Sequence, residues 1–321
     1  MDQKKIVELQ PGENVTSFFV LRKKDMKAKV HSDEFYLSLE LGDATGRIKS
    51  TLWDDVQTVN SELAVGDVVK VKAKVTTYKG RNQLTIEKIR KVKDGDEVDF
   101  KMLLPSVDKR LSDLFSHLDE LVASIENPHL NDLCSHIFND AEIRTAFGQA
   151  PGGKLWHHNY LGGLLEHTLS VTDIAADIGE KYPGVKRDLL LAAGLLHDLG
   201  KIHSYTYKTM FDFTDEGRLI GHIVIGAQMV TDRIKNIEGF PAQLEKELIH
   251  LILSHQGKLE HASPVVPMTL EGLILYYADE IDSKANAFLR IKKKEKRPGV
   301  KWSSYVNLLN QYYYFGDNNE E

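Results

Sequence analysis

The chain has 321 residues, 42% of them hydrophobic and 27% charged, with a net charge of −6, the proportions of an ordinary globular protein. That length is long for one core and comfortable for two domains. The acidic balance excludes a protein that is basic overall, so any nucleic-acid contact has to use a local patch. One cysteine, Cys134, excludes an internal disulfide and reads as a small buried apolar residue.

The opening stretch, MDQKKIVELQPGE, is charged and lacks the apolar region of a secretory signal. No run approaches the roughly 18 apolar residues that cross a bilayer, so a cytoplasmic location without a membrane partner is expected. Residues 15–92 alternate with period two and are rich in β-branched and aromatic side chains. VTSFFVLRKKDMK reads as one strand, and FYLSLELGDATGRIKSTLWD as two strands joined around Gly42 to Gly46. VQTVNSELAVG reads as a short helical or irregular bridge. DVVKVKAKVTTYKGRNQLTIEKIRKV reads as a hairpin turning at Lys79-Gly80-Arg81-Asn82. Five strands with an irregular segment between the third and fourth imply a small barrel spanning residues 1–93. This arrangement resembles an OB-fold of the tRNA-anticodon-binding type.

DGDEVD, from Asp94 to Asp99, marks a break, and 94–106 is expected to be a linker. From 107 to 321 the period becomes 3.6, which predicts helices at 107–125, 130–138, 161–178, 186–199, 219–237, 242–255 and 270–292. The fold class is therefore multidomain α and β: a small N-terminal barrel followed by an all-α bundle. The tail, YYYFGDNNEE, ends acidic and is expected to fray, and its aromatics make homo-oligomerisation a candidate property.

Twelve of the thirteen histidines lie after residue 116, and several fall on apolar helix stripes. His167 lies three residues after Leu164 and four before Val171. His255 follows Leu251 and Ile252, His222 follows Leu219, and Asp279 stands one turn after Leu275 and Tyr276. His197 and Asp198 end LLLAAGLLHDLGK, a segment apolar on every side, where an unpartnered carboxylate costs several kcal/mol, of order 1–3 or more. A single inward histidine or aspartate is usually a hydrogen-bonded core residue. This many on five successive helices would each need a private polar partner, and a divalent cation satisfies them together. Imidazole and carboxylate without thiolate suit Mn, Fe, Co or Zn.

LLHDLGK, with His167 before it and Asp279 after it, resembles the signature of the HD-domain metal-dependent phosphohydrolases over residues 161–287. The resemblance implies that His167, His197, Asp198 and Asp279 hold a first metal. In relatives with two metals, histidines matching His222 and His255 complete a second site, with Asp198 bridging. Lys201 is placed to meet a substrate phosphate at the mouth of the site, or equally to act as a helix-end cation. His158 is a candidate lining residue, preferred over His157, and Arg218 is a candidate phosphate clamp. A histidine is expected in relatives where Gln256 stands here.

In the barrel, residues 70–93 carry nine Lys or Arg and one acid, Glu87. Alternation places Lys70, Lys72 and Lys74 on one face, with Tyr78, Arg81 and Trp53 nearby. Such a face suits single-stranded nucleic acid, whose bases stack and whose phosphates meet cations. RIKKKEKRPGVK, at 290–301, is a second basic run.

The two domains together resemble the YhaM-type bacterial 3′→5′ exoribonucleases, on the stretches LGGLLEHTLSV, LLHDLGK, GHIVIGA and LSHQGKLEHASPVVPMTLE. That resemblance implies removal of nucleotides from the 3′ end of single-stranded RNA, and also ssDNA. It also implies two metal ions, manganese first, with Co, Fe, Zn or Mg as alternatives. Catalytic roles fall to Asp198, Lys201, His158 and Arg218. The competing readings are an HD phosphohydrolase of nucleotides or cyclic dinucleotides whose barrel serves oligomerisation, and a non-catalytic binding protein.

Overall fold

The computed structural model describes residues 3–29, 32, 34–154, 156–307 and 309–317. The chain divides into two compact units, Met1–Ser106 with Tyr207–Phe211, and Val107–Thr206 with Asp212–Glu321.

The first unit is the expected five-stranded barrel. Its strands are β1 (Asn14–Ala28), β2 (Phe35–Gly42), β3 (Arg47–Leu52), β4 (Val68–Tyr78) and β5 (Arg81–Lys91), with helix α1 (Val56–Glu62) between β3 and β4. The sheet closes in the order β1-β2-β3-β5-β4, and its parallel pairing, β3 with β5, sets Lys49 opposite Gln83 and Leu52 opposite Ile86. Period-two alternation explains why the strands form. Val69, Val71, Ala73 and Val75 are fully buried, while Lys72 and Lys74 between them are exposed. Val56 and Val59 of α1 pack into the same core as Leu37, Leu41 and Leu84. Tyr78 pairs with Arg81 across a two-residue turn whose residues, Lys79 and Gly80, both take positive φ.

Residues 94–106 are not the free linker that their acidic sequence predicts. Phe100–Met102 form a 3-10 turn, and Leu103, 1% exposed, packs against Phe18, Val20 and Val68. An apolar residue in reach of that cluster gains more by burial than a linker gains by freedom.

The second unit is helical. In chain order it contains α2 (Leu111–Ala123), α3 (Pro128–Phe138), α4 (Ala141–Gln149), α5 (Gly163–Gly179), α6 (Arg187–Leu196), α7 (Lys201–Ser204), the two-residue strands β6 (Tyr205–Thr206) and β7 (Asp212–Phe213), α8 (Asp215–Leu219), α9 (His222–Ile234), α10 (Ala242–Ser254) and α11 (Leu270–Glu295). Leu189 through Leu196 are buried without exception, so the all-round apolar segment is the central helix, packed against α5, α3, α10 and α11. Cys134 is fully buried, as its sequence context implies.

Two helix expectations are corrected. α4 was not foreseen: Asp140 caps it by accepting from the backbone N–H groups of Glu142 and Ile143, a signal hidden in the polar run NDAEIRT. The single helix expected at 219–237 is two, because Gly221 takes φ +84° and turns the chain between α8 and α9. That turn makes His222 the first residue of α9. Among the described residues no helix is long and apolar enough to cross a membrane. The acidic end of the tail, 318–321, lies outside the described residues.

Candidate metal centre

Five helices of the second unit bring their polar residues to one point. His167 comes from the middle of α5, and Asp279 and Asp282 from the middle of α11. His197 and His255 each stand one residue beyond a helix end, on α6 and α10, and both use the same local device. The Nδ1 of His197 donates to Gly194 O at 2.7 Å, and that of His255 to Ile252 O at 2.7 Å. A carbonyl can only accept, so Nδ1 carries the hydrogen in each ring. That satisfies a carbonyl the helix end leaves unpaired and frees the Nε2 lone pair to face the centre.

Asp198 sits between two groups of donors. Its Oδ2 lies 3.3 Å from His167 Nε2 and 3.4 Å from His197 Nε2, and His167 Nε2 is also 3.3 Å from Asp279 Oδ1. Its Oδ1 lies 3.4 Å from His222 Nε2 and 3.6 Å from His255 Nε2. Donors bound to one cation at about 2.1 Å stand roughly 3.0–3.4 Å apart in octahedral or tetrahedral geometry, so both groups are close to the spacing a cation requires. Asp198 Oδ1 and His222 Nε2 are both buried and without a hydrogen-bond partner. Leaving a buried polar atom unpaired costs about 1–3 kcal/mol, and a divalent ion on each side of the carboxylate removes the need. Both groups of residues could therefore hold a divalent cation.

The electrostatics differ across the donor set: burial opposes charging of His167, yet its hydrogen bonds with Asp198, Asp279 and Asp282 outweigh it and raise that ring well above the usual value. Burial pushes His222 down to about 3 and His255 down to about 4, so both are neutral donors at physiological pH. Burial opposes ionisation of Asp198, yet Lys201 and the neighbouring histidines outweigh it and hold the carboxyl well below the usual range. Gly200 makes the geometry possible. A Cβ there would lie 2.1 Å from His222 O and 2.5 Å from Gly226 N, so only glycine lets the start of α9 approach the His197-Asp198 turn.

The remaining expected residues divide. Lys201 does not stand at the mouth. It is 5% exposed, and its Nζ pairs with Asp198 Oδ2 at 2.5 Å and donates to Gly152 O at 2.6 Å. The short α7 begins at Lys201 itself and turns the side chain inward instead of along a helix end. Arg218 is outside the donor cluster: its exposed guanidinium pairs with Asp212 at 3.0 Å and lies over the Phe213 ring. Of the adjacent histidines, His157 is the one with an open nitrogen. Its Nδ1 is buried without a partner, and its ring centroid is 5.1 Å from that of His167. His158 is committed elsewhere, its Nε2 to Asp282 Oδ2 at 2.9 Å and its Nδ1 to the Tyr160 hydroxyl at 2.9 Å. The backbone of His158 takes φ +45°. Gln256 places its amide nitrogen 3.4 Å from His255 Nε2.

Asp282 was not anticipated. Its Oδ2 accepts from His167 Nδ1 at 2.6 Å as well as from His158, which turns His167 Nε2 toward Asp198 and Asp279. The chain of contacts continues from His158 through Tyr160 to Glu166 Oε2 at 2.6 Å. The available signal was spacing: Asp282 is three residues after Asp279 and so on the same helix face.

In the barrel, the lysine face is partly answered from within. Lys70 pairs with Asp96 at 3.0 Å, which Arg90 also holds at 2.7 Å, and Lys72 pairs with Glu87 at 2.8 Å. Lys74 points outward and is exposed. Tyr78, 60% exposed, lies beneath Lys79 at the tip of the β4–β5 hairpin, beside exposed Arg81. Trp53, 45% exposed, stacks with Tyr36 at 4.9 Å, with Lys29 Nζ 5.6 Å from its ring. The available stacking groups thus lie at the hairpin tip and at the end of β3.

Comparison with known proteins follows the same division. Residues 164–284 match the family model of the HD domain, and residues 27–92 match that of the OB-fold nucleic acid binding domain. A domain of replication protein A from Methanococcus maripaludis is 26% identical over 28% of this chain and 96% of its own, with a TM-score of 0.25. Pot1pC from Schizosaccharomyces pombe, solved with ssDNA, is 16% identical over 30% of this chain and 90% of its own, with a TM-score of 0.25. The HD domain of the phosphodiesterase PgpH from L. monocytogenes is 18% identical over 48% of this chain and 80% of its own, with a TM-score of 0.31. The chain joins an OB-fold nucleic acid binding domain to an HD domain whose helices converge their histidines and aspartates on one centre.

Proposed function

We propose that the protein is a metal-dependent 3′→5′ exoribonuclease that hydrolyses phosphodiesters of single-stranded RNA, and also of single-stranded DNA. The observation that carries this reading is the Asp198 carboxylate, shared between two groups of nitrogen and oxygen donors, in a chain that also holds an OB-fold. His167, His197, Asp198 and Asp279 would hold one cation, and Asp198, His222 and His255 the other. Bound divalent ions supply Lewis acidity toward phosphoryl oxygens and make water nucleophilic near neutral pH. The donor chemistry admits Mn, Fe, Co or Zn, and manganese is proposed from the resemblance of LLHDLGK and its flanking stretches to the YhaM-type enzymes. The 3′→5′ polarity rests on the same resemblance.

The chain's own residues do the positioning. Asp282 and the two helix-end carbonyls fix the ring orientations of His167, His197 and His255. Lys201 balances the charge of Asp198 and keeps the bridging carboxylate ionised inside an apolar bundle. His157, with its buried and unpartnered Nδ1, supports a role as the group that meets a substrate oxygen or the displaced alkoxide. Trp53 with Tyr36, and Tyr78 with Arg81, are the proposed strand-holding groups of the barrel, and Lys74 is its outward cation for phosphates.

The test is one gel with 3′-labelled and 5′-labelled RNA, incubated with manganese, magnesium or chelator. The 5′-labelled strand is expected to give a ladder that shortens with time, and the 3′-labelled strand to release a mononucleotide at once, both only with metal. Hydrolysis of free nucleotides or cyclic dinucleotides with no loss of either labelled strand would overturn the proposal.

A further inference from the structure

The C-terminal end of the helical unit carries a second surface that combines aromatics with positive charge. After Arg290, whose guanidinium donates to Trp156 O at 2.7 Å, α11 runs into Lys292, Lys293 and Lys294 and ends at Glu295. The chain then folds back as a small hairpin. Ser303 N donates to Tyr313 O at 2.9 Å, Val306 N to Gln311 O at 2.9 Å and Phe315 N to Lys301 O at 2.8 Å. Glu295 fastens the hairpin to the helix by accepting from Ser304 N at 2.7 Å.

Within YYYF the sides alternate, as extended backbone requires. Tyr313 and Phe315 turn inward onto Phe288, with ring centroids 5.0 and 6.3 Å away. Tyr312 and Tyr314 turn outward and meet partners across the hairpin, Tyr305 at 5.1 Å and Trp302 at 4.9 Å. These four outer rings are 46–59% exposed. Burying aromatic rings is among the larger gains of folding, so two ring pairs left in water by the chain's own packing are available to a ligand.

Charge decides what that ligand is. Residues 288–317 contain seven Lys or Arg and two acids, in a chain whose net charge is −6. Both acids are engaged, Glu295 with Ser304 and Asp317 with Lys301. A second copy of the chain docked on the same patch would set lysine against lysine, whereas a polyanion with flat faces satisfies both the cations and the rings.

We propose that the hairpin of residues 301–307 and 309–315 and the basic end of α11 form a stacking surface for single-stranded nucleic acid, separate from the barrel. From Asp279 to Glu295 the helix rises about 24 Å, so this surface holds the strand several nucleotides from the metal centre. The proposal goes beyond the hydrolytic reading and leans on it only for the turnover measurement below.

The experiment uses the full chain in chelator, where no strand is cut, and a 5′-fluorescent single-stranded 20-mer. Trp302→Leu and Tyr312→Leu are each expected to weaken binding by roughly tenfold, since each removes a stacking face. Lys293→Gln with Lys294→Gln leaves the hairpin intact and is expected to lower the slope of log K against log salt by about 1.4, or about 0.7 for each phosphate no longer neutralised. A strand carrying 4-thiouridine is expected to crosslink to the peptide containing Trp302 to Tyr314. With manganese, hydrolysis of bis(p-nitrophenyl) phosphate should be unchanged in all variants, while KM for the 20-mer rises. Affinity and salt slope unchanged in every variant would overturn the proposal, as would crosslinks confined to the barrel, or sedimentation changed while strand binding is not. Failure of the bis(p-nitrophenyl) phosphate reaction in the unmodified chain would count against the hydrolytic reading alone.

Discussion

Asp282 makes a strong prediction because it touches no expected substrate position, yet it sets the direction of His167. Its Oδ2 receives His167 Nδ1 at 2.6 Å and His158 Nε2 at 2.9 Å. Asparagine has the same shape but is neutral, so Asp282→Asn turns two charge-assisted hydrogen bonds into ordinary ones. Hydrogen bonds to a charged group contribute about 1.5–3 kcal/mol and neutral ones about 0.5–1.5, so the loss is roughly 1 kcal/mol for each bond and 2–3 in all. Removing a carboxylate behind a metal-ligating histidine commonly costs about 10–100-fold in metal affinity, and the His167 bond alone, at roughly 1–1.5 kcal/mol or about tenfold, meets the lower end of that range. Manganese titration by calorimetry is expected to show a weakening of that order, with thermal unfolding followed on the same samples. Alanine would be worse, because it leaves two buried N–H groups without any acceptor. An asparagine variant that binds manganese within twofold of the unmodified chain would refute the claim that Asp282 orients His167.

Asp198→Ala removes the carboxylate common to both donor groups, and His197→Ala one donor, so either is expected to abolish metal-supported RNA turnover. Strand binding in chelator should persist, and undiminished hydrolysis by the purified double variant would end the assignment. Gly200→Ala forces a methyl group to within 2.1 Å of His222 O, so α9 must retreat and take His222 with it. The expected result is a lower melting temperature together with loss of one of two bound manganese ions by elemental analysis, and a normal metal content would contradict it. Glu166 is held down at about 2, from a usual value of 4.5, by hydrogen bonding from His158 and Tyr160 and by Lys109. A lowered carboxylate contributes stability that is complete above its unfolded value and lost as pH falls toward its folded one. Between pH 5 and pH 2.5 the unmodified protein should therefore lose melting temperature faster than Glu166→Gln, and parallel curves would show that Glu166 carries no such linkage.

Much of this architecture could be read before any coordinates. Period-two alternation in DVVKVKAKV places valines inside and lysines outside whatever their partners, and five such strands in a short span leave few arrangements besides a barrel. The stripe positions of His167, His255 and Asp279 were legible for a similar reason, since helix periodicity alone fixes which face a residue takes, whereas that of His222 rested on Leu219, which is exposed and belongs to the separate α8. What periodicity cannot supply is the identity of a partner across space. It marked Lys70 and Lys72 as outward, but their engagement with Asp96 and Glu87 depends on a loop and a strand that only the fold brings near. It set Lys201 just past a helix, and whether the side chain went out or in depended on a turn too short to leave a periodic trace. Between His157 and His158 the difference lies in partners, Asp282 and Tyr160 for His158, that the letters HH do not reveal. Helix α4 was missed because its apolar residues, Ile143 and Phe147, are too few to rise above their polar neighbours.

The ring of strands closed by β3 meeting β5 has a consequence for how recognition could change over time. Each strand has a neighbour on both sides over part of its length, and a nucleic-acid strand on this wall would be met mainly by outward side chains. Those side chains alternate with the ones that fill the interior, and replacing one set leaves the other untouched. Such a wall can be repainted residue by residue without disturbing what stands behind it.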